Sequence, residues 1–200
     1  MMAIFAACLR ALQSAIFASY HHEDIGKNCR CGLDGVKYWC HDDCFNAPML
    51  CKTYILDTHR HLPFHRLQEW QGTHFSITTF LELGGTVFLG HQGQRCPNLS
   101  NSLSQGRPIV ITHSNGIHTL RIQYCHCQGA PSEPLQLTRA RLFPATVTKP
   151  ESAFSFAVLK DFHIHNLTSK KPLYDYFDAL RRLTNNVFPQ NVPVSFSALC

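Results

Sequence analysis

Apolar residues near the start of the chain recur at three- and four-residue steps, Phe5, Cys8, Leu12, Ile16 and Tyr20. This spacing predicts an amphipathic helix packed on the rest of the protein, with Cys8 a buried thiol. There is no cationic start, and Arg10 would sit mid-membrane, so neither a signal peptide nor a span is expected. Between residues 21 and 66 apolar periodicity fades. After Trp70 it returns: Pro108 to Thr112 and Ile117 to Tyr124 flank Ser114-Asn115-Gly116, and Asn-Gly supplies the positive backbone angles of a tight turn, so a β-hairpin is predicted with Leu120, Ile122 and Tyr124 on one face. Leu135 to Phe143 reads as a further strand ended by Pro144. Ala153 to Leu167 carries both periods, Phe154, Phe156 and Val158 alternating while Phe154, Val158 and Phe162 step by four, and is read as helix. Pro172 to Thr184 predicts a helix with the stripe Leu173, Tyr176, Phe177, Leu180 and Leu183. Its acids Asp175 and Asp178 lie toward the start and Arg181 and Arg182 near the end, as the helix dipole favours. Pro97 to Pro108, rich in Ser and Asn, predicts a mobile loop.

Composition sharpens the middle of this picture. With 44% hydrophobic residues among 200, the chain can bury a core as one domain or two small ones. A formal charge of +5 permits contact with an anionic polymer without requiring it. The 10 cysteines and 13 histidines say more, because most of them crowd into two short segments. Close Cys pairs interleaved with His suit a reduced, metal-binding protein better than a disulfide framework.

The first segment runs Cys29, Cys31, Cys40, Cys44, Cys51, His59, His61 and His65, with pairs spaced as in cross-braced zinc modules, where alternate pairs share an ion. Zinc takes four soft or borderline ligands in a tetrahedron, and ligands close in sequence lower the entropy of assembling the site. Cys40, Cys44, His59 and His65 would make one complete site. Cys29, Cys31 and Cys51 would make an incomplete companion, with Tyr54 near where a fourth ligand is due and His21, His22, His61 or water available to close it.

The second segment places Leu89-Gly90-His91 before Cys96-Pro97, and the second hairpin strand runs into Cys125-His126-Cys127. Residues i and i+2 of a strand face one side, so Cys125 and Cys127 can present two thiolates to one ion if the strand bends near Gly129. His91 and Cys96 would complete the tetrad, with His118 and His126 as competitors for the histidine role. Two zinc ions are therefore expected, and a third site is one ligand short.

Several stretches, in order, resemble the CxC-type-two cysteine cluster domain associated with KDZ transposases. They are Trp39-Cys40 to Cys44, His59-Arg60-His61-Leu62-Pro63-Phe64-His65, Glu69-Trp70-Gln71-Gly72, Leu89-Gly90-His91, Cys125-His126-Cys127-Gln128-Gly129-Ala130 and Arg141-Leu142-Phe143-Pro144-Ala145-Thr146. Ala153-Phe154-Ser155-Phe156, Phe162-His163 and Tyr174 to Asn185 continue the resemblance, which covers roughly residues 29 to 186. It implies zinc chelation, a fungal mobile-element setting and a nuclear role near DNA or chromatin. Three departures stand out: Cys40 and Cys44 are separated by three residues where the family usually has two, Tyr54 stands where it usually has Cys, and the chain stops where the transposase domain would begin. On this reading the chain is a truncated copy carrying the accessory module alone, with a divergent tail.

The expected fold is α+β: an N-terminal helical segment (1–22), a zinc-braced, B-box-like finger (23–70), a cysteine-cluster domain with a small antiparallel sheet and two C-terminal helices (71–186), and the tail (187–200). The expected function is a zinc-organised accessory module that contacts DNA or chromatin beside an intact transposase. Neither a membrane nor a small-molecule substrate is expected as a partner. Saturated sites leave no position for a catalytic water, and the acids form no pair, so enzymatic activity is not expected. A zinc-dependent protein-interaction module is the competing reading.

Overall fold

A computed structural model describes residues 2–20, 22–32, 36, 38–41, 43–46, 48–99 and 106–193. Residues 100–105 of the expected mobile loop, residues 194–200 of the tail, and His21 lie outside the described residues. The fold is α+β, with five α-helices and two sheets among the described residues.

The first sheet joins β1 (Trp39–His41), β2 (Leu67–Trp70) and β3 (Phe75–Thr78) in antiparallel order. Helix α2 (Lys52–Thr58) lies between β1 and β2 in sequence and buries Ile55. The second sheet has the order β4-β6-β5-β8-β7, formed by β4 (Val87–Phe88), β5 (Arg107–His113), β6 (Gly116–Gln123), β7 (Leu142–Pro144) and β8 (Ser152–Ser155). It is mixed, where an antiparallel sheet was expected: β4 runs parallel to β6, and β5 parallel to β8. Both parallel neighbours arrive through long connections, which local sequence does not announce.

The β5–β6 hairpin forms at the predicted turn, His113 pairing with Gly116. Asn115 there does more than turn the chain. Its Nδ2 donates to the Phe64 carbonyl at 2.8 Å, its own carbonyl accepts from Arg66 Nη2, and its Oδ1 lies 2.8 Å from Nε2 of His118. The hairpin tip is thus clasped to the Phe64–Arg66 segment.

Two expected elements differ. The stretch read as a strand from Leu135 is helix α3 (Glu133–Arg139) followed by β7, with Ser132 at the N-cap, a proline in the first turn, Glu133 at the start and Arg139 at the end. The stretch read as one helix from Ala153 is β8 and then α4 (Phe156–Ser169), the break falling at Ser155, whose hydroxyl caps the helix by accepting from the Val158 amide. Helix α5 (Leu173–Thr184) buries Tyr176, Phe177 and Leu180 of its predicted stripe, while Leu183 is half exposed.

One core cluster draws on both sides of residue 70, packing Leu50, Ile55 and Leu67 with Leu89, Ile109, Ile111, Leu120, Ile122 and Leu137. A second gathers Ile117, Phe154 and Val158 with the α5 stripe. The N-terminal helix α1 (Met2–Ser19) forms as predicted, but its packing does not: every described side chain from residue 6 to 20 is exposed, Cys8 included. An apolar period specifies a helix; it does not specify a surface to bury it on. Among the described residues, no helix is long and apolar enough to cross a membrane.

Candidate metal centres

Among the described residues, three groups of Cys and His side chains bring their ligand atoms within 4.8 Å of one another: His91, Cys96, Cys125 and Cys127; Cys29, Cys31 and Cys51; and Cys44, His59 and His65.

The first group is a complete tetrad. His91 Nε2 lies 3.2 Å from Cys125 Sγ and 3.4 Å from Cys127 Sγ, and Cys96 Sγ lies 3.9 and 3.7 Å from the same two sulfurs. Zinc–sulfur bonds of about 2.3 Å in a tetrahedron place sulfurs about 3.8 Å apart, so this spacing fits. His91 is delivered by a tight turn in which Gly90 has φ +89° and His91 itself φ +46°. A Cβ on Gly90 would come within 3.2 Å of Cys125 Cβ, so the loop closes on the cluster because that position has none. Cys125 and Cys127 follow β6 directly. Their mount is Gln136, buried on α3, whose Oε1 accepts from the Cys125 amide at 2.8 Å while its Nε2 donates to the Cys125 and Pro131 carbonyls at 3.0 and 2.8 Å.

The thiols of this tetrad pull in opposite directions. Burial raises Cys96, yet hydrogen bonds from the His126 and Asn98 amides, Cys127 and His91 outweigh it and bring the thiol down to about 6. Cys127 is pushed up to about 11, chiefly by its hydrogen bonds with Cys125 and Cys96, then by burial and their charge. Crowded thiolates resist the last ionisation. A divalent cation at their centre removes that resistance, so the donor set fits a metal.

In the second group Cys31 and Cys51 Sγ are 3.6 Å apart, and the Cys51 amide donates to Cys29 Sγ at 3.5 Å. Burial raises Cys29, but the amides of Cys31 and Cys51, together with the two thiols, bring it down to about 7. No fourth ligand joins among the described residues. Tyr54 lies under Arg30, 6.0 Å from guanidinium carbon to ring centre. His22 packs edge-on against Phe75, and the His61 ring sits where a Cβ on Gly93 would be, 2.8 Å from its Cε1, so neither closes the site.

The third group sets Cys44 Sγ 3.1 Å from His65 Nδ1 and 3.9 Å from His59 Nε2. The buried His59 ring is fixed from behind: Nδ1 donates to the Ile55 carbonyl at 2.9 Å, leaving the Nε2 lone pair toward Cys44. Burial and then His65 hold His59 below the usual histidine range, against that carbonyl and Asp43, which favours the neutral form a ligand needs. Cys40, expected as the fourth member, is not in this group; it is buried on β1 with Sγ 3.8 Å from Gln68 Oε1.

His118 does not compete for the second cluster. It sits in the hairpin pocket against Asn115 and Phe64, pushed down to about 4 by burial, then by His113 and Arg66. His126 is exposed and outside the tetrad. Gln136 was not legible as a site residue, since nothing local marks a glutamine that acts through a neighbour's backbone.

The family model for the CxC2-like cysteine cluster associated with KDZ transposases matches residues 80–188. No curated protein and no solved structure matches the chain. The matched stretch contains His91, Cys96, Cys125 and Cys127 and starts after the two other groups. As the match spans more than half of the 200 residues, the chain belongs to the CxC2-like cysteine cluster family associated with KDZ transposases.

Proposed function

We propose that this chain is a zinc-organised, non-catalytic binding module that works with a KDZ-type transposase in the nucleus and contacts DNA or chromatin. The observation that carries the reading is the four-ligand cluster His91, Cys96, Cys125 and Cys127 inside the family match. Four protein ligands fill a tetrahedral zinc and leave no position for a reacting water. At the finger, Cys40 is the proposed fourth ligand beside Cys44, His59 and His65, reached by turning its thiol away from Gln68. The three-cysteine group is the proposed weak site. Zinc counting on purified protein, followed by duplex binding across a salt series, tests the reading. Two tightly held ions per chain, with any third at the three-cysteine group held more weakly, and an affinity that falls steeply with salt are expected. No duplex binding at low salt removes the DNA contact.

A second reading, a B-box-like protein-interaction module, is favoured by one feature. Along the chain the two finger groups interleave, Cys29 and Cys31, then Cys44, then Cys51, then His59 and His65. Interleaved ligands brace a small fold that presents a surface without chemistry of its own.

A further inference from the structure

We propose that the cavity between the finger and the tetrad is a docking site for a bulky apolar side chain on an acid-flanked protein segment. The cavity has a volume of about 710 Å³ and is lined on one wall by Arg60, His61, Pro63 and Phe64 and on another by His91, Cys125 and Cys127. The first wall lies between His59 and His65, so a metal-binding group stands at each side. This volume is in the range of sites that bury a compact ligand.

The floor selects the chemistry. Leu89, Leu120 and Ile122 belong to the core beneath it, and Phe64 and Leu142 close its sides. The buried polar side chain in its lining, Gln136, already spends its amide on Cys125 and Pro131. A nucleobase has polar edges all round and would leave them unmatched on this floor, whereas an aliphatic or aromatic side chain loses nothing there.

The rim selects the flank. No aspartate or glutamate lines the cavity among the described residues, while Arg60, His61 and Arg139 do. Arg60 is part-neutralised by Asp57 at 2.5 Å, and Arg139, exposed at the end of α3, makes no ion pair among the described residues. A divalent ion held by three thiolates and an imidazole leaves one net negative charge on the tetrad wall. The acid of the ligand therefore belongs at Arg139 and His61, and its apolar anchor over the core.

The inference rests on the metal-organised reading of both walls, and the test separates the two. Random peptides displayed on phage are selected against the intact zinc-loaded chain, and one enriched sequence is synthesised for titration. Enrichment of Leu, Phe or Trp within two positions of Asp or Glu is expected. Arg139→Glu and, independently, Ala140→Trp, which fills the cavity mouth, should each weaken the synthetic peptide at least tenfold with zinc content and circular dichroism unchanged. Selection without acidic residues, undiminished binding to both variants, or displacement of the peptide by oligo-dT at low concentration would overturn it. If the loaded protein binds and the chelated, still folded protein binds equally well, the docking site stands and the metal-organised reading fails.

Discussion

Gln136 and Cys125 exchange two hydrogen bonds, side-chain amide against main chain, at 2.8 and 3.0 Å, so a helix residue holds the segment after β6 that carries two cysteine side chains of the tetrad. Replacing it by Gln136→Leu leaves the Cys125 amide and carbonyl part-buried and unpaired, at a cost of about 3 kcal/mol. It should also loosen the tetrad, lowering metal affinity by about ten- to a hundredfold. Competition with a chromophoric chelator and urea unfolding measure the two effects separately. Lost stability with full metal affinity would show that Gln136 supports the fold and does not orient the ligands.

Thr184 ties the end of α5 to the hairpin: its hydroxyl accepts from the Ile117 amide at 2.7 Å and donates to the Leu180 carbonyl at 2.8 Å. Thr184→Val keeps the shape and removes the acceptor, so a loss of about 1 kcal/mol is expected, with Thr184→Ser recovering most of it. Gly116 beside it has φ +144°, and a Cβ there would meet Thr184 Oγ1 at 2.8 Å. Gly116→Ala should therefore destabilise more than Thr184→Val does. Equal melting temperatures for all three variants would remove the tie from the account.

These contacts show where sequence reading stops. Ser114-Asn115-Gly116 marked the hairpin in the right place, although His113 pairs with Gly116, so the loop is Ser114-Asn115 and only Gly116 takes a positive φ, of +144°. The Cys125-x-Cys127 spacing marked a ligand pair, although both residues lie just past the end of β6 and not on it. The α5 stripe was legible as one period with one buried face. Residues from Ala153 satisfied two periods at once, and only the Ser155 cap decides where strand yields to helix. Helix α3 carried its own signals in Ser132, Pro134 and Arg139, which the apolar run from Leu135 masked. Spacing marked Cys40 as a ligand candidate but not its neighbour Gln68, which the β1–β2 register sets opposite it with Oε1 3.8 Å from Sγ, because a cross-strand pairing has no local signal.

His118 gives a pH dependence with a definite sign. Burial, His113 and Arg66 hold it down to about 4 in the folded protein, against the nearby Asp43, while an unfolded histidine titrates near 6.5. Above about pH 6.5 both states are neutral and nothing is lost. As pH falls toward 4 the unfolded chain takes up a proton that the folded chain refuses, so stability drops, by at most about 2 kcal/mol between pH 6.5 and 5. His118→Gln keeps a donor for Asn115 Oδ1 and removes the titration. The difference in unfolding free energy between wild type and variant, measured at fixed free zinc, should shrink as pH is lowered through that window. A difference independent of pH would mean that the ring titrates alike in the folded and unfolded chain.

The three-cysteine group tests what Tyr54 costs. Cys29, Cys31 and Cys51 come together with two of the three thiols buried, yet no fourth ligand joins them among the described residues. An ion there would have to borrow water or an outside donor, whereas the His91 tetrad offers four protein ligands to one ion. Because binding free energy at each site is also folding free energy for its surroundings, the two groups should empty in order under rising chelator, the three-cysteine group first. Native mass spectrometry along such a titration reads the order directly. Tyr54→Cys supplies a thiolate from the first turns of α2, next to Cys51 at its N-cap, and should raise retention at this group without altering the tetrad. Tyr54→Ala removes the Arg30 contact without supplying a ligand and should release its ion no later than wild type does. An ion lost last from this group, or a Tyr54→Cys protein that releases it no later than wild type, would show that the site is closed by a ligand other than residue 54.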